Sequence, residues 1–306
     1  MFTLAHLSDP HLPMPRTPYA RLLGKRATGY ANWWRRRADL HVPQALAGIV
    51  ADIKAQKPDH IALTGDVINI ALPEEFRHAA AWLADLADPR HLTLIPGNHD
   101  VYVRVAWPAG AGLWAAYMAG DGVPVPEGFD SFPALRRRGE IALVSLTTGV
   151  PTLPLMATGA LGLDQIARAE TMLVALKAEN VYRIVLIHHP PLTTESHFKR
   201  LTDAAAFQAM IRRAGCEMIL HGHNHRSEVA RIDGPAGPIP VIGVASASAA
   251  PGSKYGRARY HLIRIAREGD GWQARVELRA LTADCSGCEP DGELAFHTAT
   301  TNAVMR

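Results

Sequence analysis

The sequence predicts an α/β protein with both faces of its sheet covered. Short apolar runs of strand length alternate with segments of helical period from residue 2 to residue 220, and 48% of the 306 residues are hydrophobic, enough to bury a large core. A third observation points the same way: the polar clusters with chemical character all fall directly after the predicted strands, where clefts of α/β sheets form.

Phe2 to Leu7 is the first strand and ends in Ser8-Asp9-Pro10-His11. A helix follows from about Pro43 to Lys57, where Leu46, Ile49, Val50 and Ile53 share one face, and then a strand over His60 to Leu63. The alternation continues with a helix from Pro73 to Ala87, strands over His91 to Ile95 and Ile141 to Leu146, and a helix from Leu163 to Glu179. A strand over Tyr182 to Ile187, a helix over Asp203 to Ala214 and a strand over Met218 to Leu220 complete it. From Glu228 onward the texture is strand and turn, with a hairpin formed by Arg259 to Ala266 and Trp272 to Ala280 around Glu268-Gly269-Asp270-Gly271. Gly234 to Pro240 reads as a loop, Trp107 to Arg138 shows only weak helical content, and the residues beyond about Asp284 read as a loose tail. The expected organisation is one domain over 1–283, carrying an insertion over 12–41, and a C-terminal tail over 284–306.

Composition removes several function classes. Three cysteines cannot build a disulfide framework, and Cys216 is far in sequence from Cys285 and Cys288, so a reducing compartment is the simpler expectation. The Cys285-Ser286-Gly287-Cys288 spacing lacks a partner pair and a helix-opening context, and is expected to be non-functional. No signal-peptide pattern or transmembrane-length apolar run occurs, and the expected location is cytoplasmic. A net charge of +3 argues against a dedicated nucleic-acid binder. The charge is uneven, however: residues 12 to 38 hold seven Lys or Arg and no acidic residue, leaving 25 basic against 29 acidic residues elsewhere.

The strand-end clusters are Asp9-Pro10-His11, Gly65-Asp66, Gly97-Asn98-His99-Asp100, His188-His189 and His221-Gly222-His223-Asn224-His225, and they hold seven of the fifteen histidines. Imidazoles with a few carboxylates and no thiol suit Mn, Fe, Co, Ni or Zn better than Mg or Ca. Asp9, His11, Asp66, Asn98, His188, His223 and His225 make seven candidate ligands, too many for one ion and suited to two that share a carboxylate. Two divalent cations, two carboxylates and one hydroxide leave a residual positive charge that favours a phosphate oxyanion. Taken singly, Asp-Pro-His and Gly-Asp are also ordinary turn chemistry; their joint occurrence in order at strand ends is what speaks for metal.

These blocks, Asp9-x-His11, Gly65-Asp66, Gly97-Asn98-His99-Asp100, His188 and Gly222-His223-x-His225, resemble those of the calcineurin-like metallophosphoesterase superfamily. The run as a whole, with His188-His189-Pro190-Pro191 and the terminal hairpin, is similar to the branch of class III cyclic-nucleotide and glycerophosphodiester phosphodiesterases. The resemblance implies a four-layer αββα sandwich with a C-terminal β-hairpin and two divalent ions, Mn, Fe, Co or Zn. It further implies that Asp9, His11, Asp66 and His225 hold one ion and that Asp66, Asn98, His188 and His223 hold the other, with Asp66 bridging. His189 and His221 are expected to be structural neighbours. In such sites a bridging hydroxide attacks phosphorus in line, and His99 is placed to protonate the leaving alkoxide. Asp100 either orients His99 or serves the turn.

The insertion interleaves Leu22-Leu23-Gly24-Lys25-Arg26 and Asn32-Trp33-Trp34-Arg35-Arg36-Arg37, apolar groups among cations. Three readings stand for Trp33, Trp34, Arg35, Arg36 and Arg37: contact with an anionic lipid surface or a partly apolar phosphorylated substrate, packing on the domain with a solvated helix end, or stacking on single-stranded nucleic acid. The function expected is hydrolysis of small phosphodiesters. The alternatives are hydrolysis of a lipid-linked phosphoester or pyrophosphate at an anionic membrane surface, and a non-catalytic scaffold, which the complete ligand set disfavours.

Overall fold

In the computed structural model the described residues are 1–15, 21–36, 40–192 and 196–298. They form two six-stranded sheets. The first is built from β1 (Phe2–Leu7), β2 (His60–Leu63), β3 (Leu92–Leu94), β10 (Arg259–Glu268), β11 (Gly271–Leu281) and β12 (Cys288–Thr298), in the order β12-β11-β10-β1-β2-β3. β1, β2 and β3 run parallel, while β10 joins β1 antiparallel, pairing His261 with His6. The second contains β4 (Ala134–Arg138), β5 (Ile141–Ser145), β6 (Tyr182–Leu186), β7 (Met218–His221), β8 (Glu228–Gly234) and β9 (Gly237–Gly243), in the order β4-β5-β6-β7-β9-β8. Its four central strands are parallel, and the hairpin partners β4 and β8 lie at its edges.

Alternation along the strands explains the layering. On β6, Ile184 and Leu186 enter the core shared with Leu4, Leu63 and Leu262 of the first sheet, whereas Val185 joins Leu173 and Phe207 of the helices beneath. Those helices are α5 (Leu163–Ala178) and α6 (Ala204–Ala214). On the first sheet, α2 (Pro43–Gln56) and α3 (Pro73–Leu86) contribute Ile49, Ile53, Phe76 and Leu83 to the core. Each of α2 and α3 begins with a proline, whose fixed φ and missing N–H suit the first turn. The result is the four-layer αββα arrangement, with α1 (Lys25–Arg36) inside the insertion and a short α4 (Ala115–Met118) between β3 and β4.

Three expectations are corrected. The expected C-terminal hairpin forms as β10 and β11, but a loose tail does not follow it: β12 pairs with β11 from Trp272↔Thr298 to Leu281↔Cys288 and makes a three-stranded meander. Residues 299–306 lie outside the described residues. Gly234 to Pro240 is the turn of a β8–β9 hairpin together with the first half of β9. The weakly helical stretch before Arg138 holds short 3₁₀ turns, α4 and the edge strand β4.

Candidate metal centre

The parallel strands end at one edge of the sandwich, and the polar clusters meet there. Backbone strain marks the place: Asp9, His11, Asp66, His223 and His225 all have positive φ, between 37° and 70°, a cost that persists only where surrounding structure enforces it. The motif glycines are there for close approach. A Cβ on Gly97 would stand 2.2 Å from Asp66 Oδ1, and one on Gly222 would stand 1.9 Å from Ser8 Oγ and 2.6 Å from Asp9 Oδ2.

Two groups of donor atoms converge. In one, His11 Nε2 lies 3.2 Å from His225 Nε2, 4.0 Å from Asp9 Oδ1 and 3.9 Å from Asp66 Oδ2, while His225 Nε2 is 3.2 Å from Asp9 Oδ1. In the other, Asn98 Oδ1 lies 3.2 Å from His188 Nε2 and 2.9 Å from His223 Nδ1, and His188 Nε2 is 3.4 Å from Asp66 Oδ2. Asp66 Oδ2 therefore belongs to both groups. The seven residues read from the sequence come together in one place, with Asp66 between the two groups.

The donor chemistry fits cations. His188 Nδ1 faces the Thr64 carbonyl at 2.6 Å and His11 Nδ1 faces the Ile68 carbonyl at 3.2 Å, so both rings carry their hydrogen on Nδ1 and turn the Nε2 lone pair inward. Lone pairs then confront carboxylate and amide oxygens, and Asp9 Oδ1 is buried without a hydrogen-bond partner. The electrostatics demand positive charge. Burial alone would lower His188, yet Asp66 raises it to about 9. Burial alone would raise Asp66, yet His188 and His99 hold it well below the usual carboxylate range.

The neighbours separate into roles. His189 bonds Thr148 Oγ1 through Nδ1 (2.7 Å) and the Ala157 carbonyl through Nε2 (3.1 Å), and burial and His188 lower it to about 3: it is a structural imidazole. His221 Nδ1 faces the Gly222 carbonyl at 3.0 Å. His99 Nδ1 donates to the Asn69 carbonyl at 2.5 Å, and its ring stacks on Tyr102 with centroids 5.8 Å apart. Of the two roles open to Asp100, orienting His99 or serving the turn, the first is filled by the Asn69 carbonyl. The Asp100 carboxylate instead accepts the backbone N–H groups of Asp66, Val67, Ile68 and Gly97 at 2.8 to 3.1 Å, tying together the two loops that carry Asp66 and Asn98. Burial and the neighbouring Asp66 charge raise its pKa to about 7.

A cleft of about 400 Å³ opens onto this centre, lined by His99, Asn98, Asp66 and His223 together with Lys199 and Arg226. Those two cations were not legible as site residues, because neither stands in a strand-end block. A larger cleft of about 730 Å³, lined by Trp272, Phe296 and Ile239, lies by the opposite ends of β6, β7 and β9. Among the described residues it has no comparable gathering of ligating side chains, and Arg183 and Glu217 in it are paired at 2.7 Å.

The insertion docks beside the centre. Lys25 of α1 sits 4.1 Å over the Tyr102 ring and donates to Thr152 Oγ1, and half-burial lowers it to about 8. Arg26 donates to the Ala71 carbonyl at 2.6 Å. Trp33 packs on Tyr30 with ring centroids 5.7 Å apart, Trp34 is 67% exposed and Arg35 is exposed. Arg36 ends α1, and Arg37 lies outside the described residues. The remaining surprise is His41, whose ring centroid is 4.6 Å from that of His11 and 5.3 Å from that of His225. It was missed because it stands alone, thirty positions after His11 and outside every strand-end cluster.

Residues 2–227 match the family of calcineurin-like phosphoesterases. The chain belongs to that family. A glycerophosphodiester phosphodiesterase, GpdQ of Enterobacter lignolyticus, is 34% identical to this calcineurin-like chain over 97 residues, which is 32% of the chain and 29% of that relative. A dimetal phosphatase from Danio rerio shares the fold at a TM-score of 0.60 and 12% identity, covering 94% of this chain and 98% of that one. The purple acid phosphatase PPD1 from yellow lupin also reaches 0.60, at 11% identity, covering 96% of this chain and 53% of that one. Among the described residues no helix is long and apolar enough to cross a membrane.

Proposed function

We propose that the chain is a dinuclear-metal phosphodiesterase that hydrolyses small phosphodiesters. The observation that carries this reading is the pair of donor groups joined at Asp66 Oδ2 and facing a cleft of about 400 Å³, a volume suited to a small ligand. Asp9, His11, Asp66 and His225 would hold one ion, and Asp66, Asn98, His188 and His223 the other. Bound there, two divalent ions from among Mn, Fe, Co and Zn would activate water and polarise phosphate oxygens.

The chain's own side chains do the rest. Lys199 and Arg226 line the cleft and offer charge to an anionic ester. His99 lines the cleft while its Nδ1 is committed to the Asn69 carbonyl, so the proton for the departing alkoxide would come from Nε2. Asp66 keeps its loop because Asp100 holds three successive backbone N–H groups. The similarity to a glycerophosphodiester phosphodiesterase favours a diester over a monoester.

The deciding experiment is turnover of bis-nitrophenyl phosphate, nitrophenyl phosphate, cyclic AMP and a glycerophosphodiester with added Mn²⁺. Diester hydrolysis at least about tenfold faster than monoester hydrolysis is expected. Inactivity on every ester at full metal occupancy would overturn the reading. A second reading, action on a lipid-linked phosphoester at an anionic surface, is favoured by one observation: the insertion docks beside the cleft yet leaves Leu23, just before α1, 75% exposed and Trp34, on α1, 67% exposed.

A further inference from the structure

We propose that His41 is a direct donor to the first ion, so that the insertion ends by delivering a third imidazole to the centre. The proposal rests on the two-ion reading above and deepens it. One ring nitrogen each from His11, His41 and His225 lies within 4.8 Å of the others. Donors about 2.1 Å from one ion stand about 3.0 to 4.2 Å apart, so a shift of a few tenths of an ångström at the rings closes the set.

His41 is held for this task. Its Nδ1 faces Ser248 Oγ at 2.8 Å and Ser246 Oγ at 3.3 Å, which fixes the orientation of the ring. Metal-binding imidazoles are typically fixed in this way through the other ring nitrogen. The same two hydroxyls reach the Asp9 carbonyl, at 2.7 Å from Ser246 and 3.5 Å from Ser248, so His41 and Asp9 share one frame. The backbone is clamped on either side: Val42 N–H donates to the Ser248 carbonyl at 2.9 Å, and Ala250 N–H donates to the Leu40 carbonyl at 2.8 Å. Pro43 then opens α2 directly afterwards. A freely chosen side chain on a surface insertion would not need this bracing.

His41 also differs from His99 in what it faces. His99 lines the cleft, and His41 is absent from the described residues that line it, so His41 approaches the first ion without competing with substrate. The two positions become chemically unequal. The first has three imidazoles and two carboxylates, the second two imidazoles, one carboxylate and one amide. More nitrogen donors favour Fe, Co, Ni or Zn over Mn, so the first position should hold its ion more tightly and select it differently.

The test uses the full chain loaded with Co²⁺. Each coordinated imidazole gives one hyperfine-shifted, exchangeable ring N–H proton by NMR, and five are expected in the wild type, from His11, His41, His188, His223 and His225. In His41→Ala one of these is expected to vanish, and one of the two Co²⁺ equivalents should be stripped at a chelator concentration at least about tenfold lower, with circular dichroism of the metal-free protein as the folding control. Four resonances in a wild type that holds two equivalents would overturn the role of His41 alone, and so would a folded His41→Ala that keeps both equivalents at wild-type affinity. Should that variant fail to fold, the wild-type count decides. Uptake of fewer than two equivalents by the wild type would overturn the two-ion reading and this proposal with it.

Discussion

His99 and Asp100 are neighbours in sequence and do different things. His99 reaches the cleft and has its tautomer set by Asn69, whereas Asp100 is 2% exposed and spends its oxygens on backbone N–H groups. His99→Ala is therefore expected to retain both metal equivalents and lose ~10²–10⁴-fold in turnover of diesters with poor leaving groups, less with nitrophenolate, which departs without a proton. Equal losses on both leaving groups, or loss of metal, would reject the general-acid assignment. Asp100→Ala strands several buried N–H groups, each costing about 1–3 kcal/mol, and should lower Tm and metal retention together. The residue types explain how much of this was legible. The candidate ligands advertise themselves because Asp-x-His and Gly-His-x-His at strand ends combine unusual chemistry with a fixed place. Asp100 and His41 do not, since their roles depend on which distant backbone or ring the fold brings beside them.

At the scale of elements, the strands and helices of the βα units follow the sequence to within a residue or two, because buried parallel strands and amphipathic helices carry strong apolar periodicity. The elements that were not legible are those at the margins. β12 contains Glu289-Pro290-Asp291-Gly292-Glu293, a polar run that reads as loop; as a sheet edge it is largely solvated on both faces. β9 carries Pro238 and Pro240, yet its pairing with β7 begins only at Val241, so the prolines sit where a single neighbour needs satisfying. α1 shows how an element can be placed by polar contacts instead of an apolar stripe: Lys25 lies on Tyr102, Arg26 on the Ala71 carbonyl, and a Cβ on Gly29 would come within 2.6 Å of Tyr102 Oη. Its outward Trp34 and Arg35 carry the lipid reading. Anionic vesicles at low salt should sediment the protein, and Arg35→Glu should weaken this by about 2 kcal/mol, roughly 30-fold, since each charge near such a surface is worth about 1 kcal/mol. No sedimentation of the wild type would remove the lipid reading while leaving small-diester turnover intact.

For the whole molecule, the two sheets must stay in register for the loops at their ends to meet, and β4 is one of the clamps. Arg136 reaches across to the Leu92 carbonyl at 2.7 Å and to the Ala116 and Ala119 carbonyls at 2.6 Å, and Arg138 Nε donates to His60 Nδ1 at 3.3 Å. His60 in turn donates through Nε2 to Thr93 Oγ1 at 2.7 Å, so this contact between the sheets requires a neutral imidazole. Burial first, then Arg138 and Arg136, lower its pKa to about 3. The unfolded chain, with His60 near 6.5, takes up the proton that the folded chain refuses. The stability from this residue is thus complete above pH 6.5 and is lost as pH falls toward 3, at up to about 1.4 kcal/mol per pH unit. His60→Gln keeps hydrogen-bonding capacity without titrating. It should reduce the pH dependence of unfolding between pH 6.5 and 4 by about one proton relative to wild type at the same metal loading, as read by denaturant unfolding across that range. An unchanged slope would mean that His60 is solvated in the folded protein and that β4 does not close the sandwich through it.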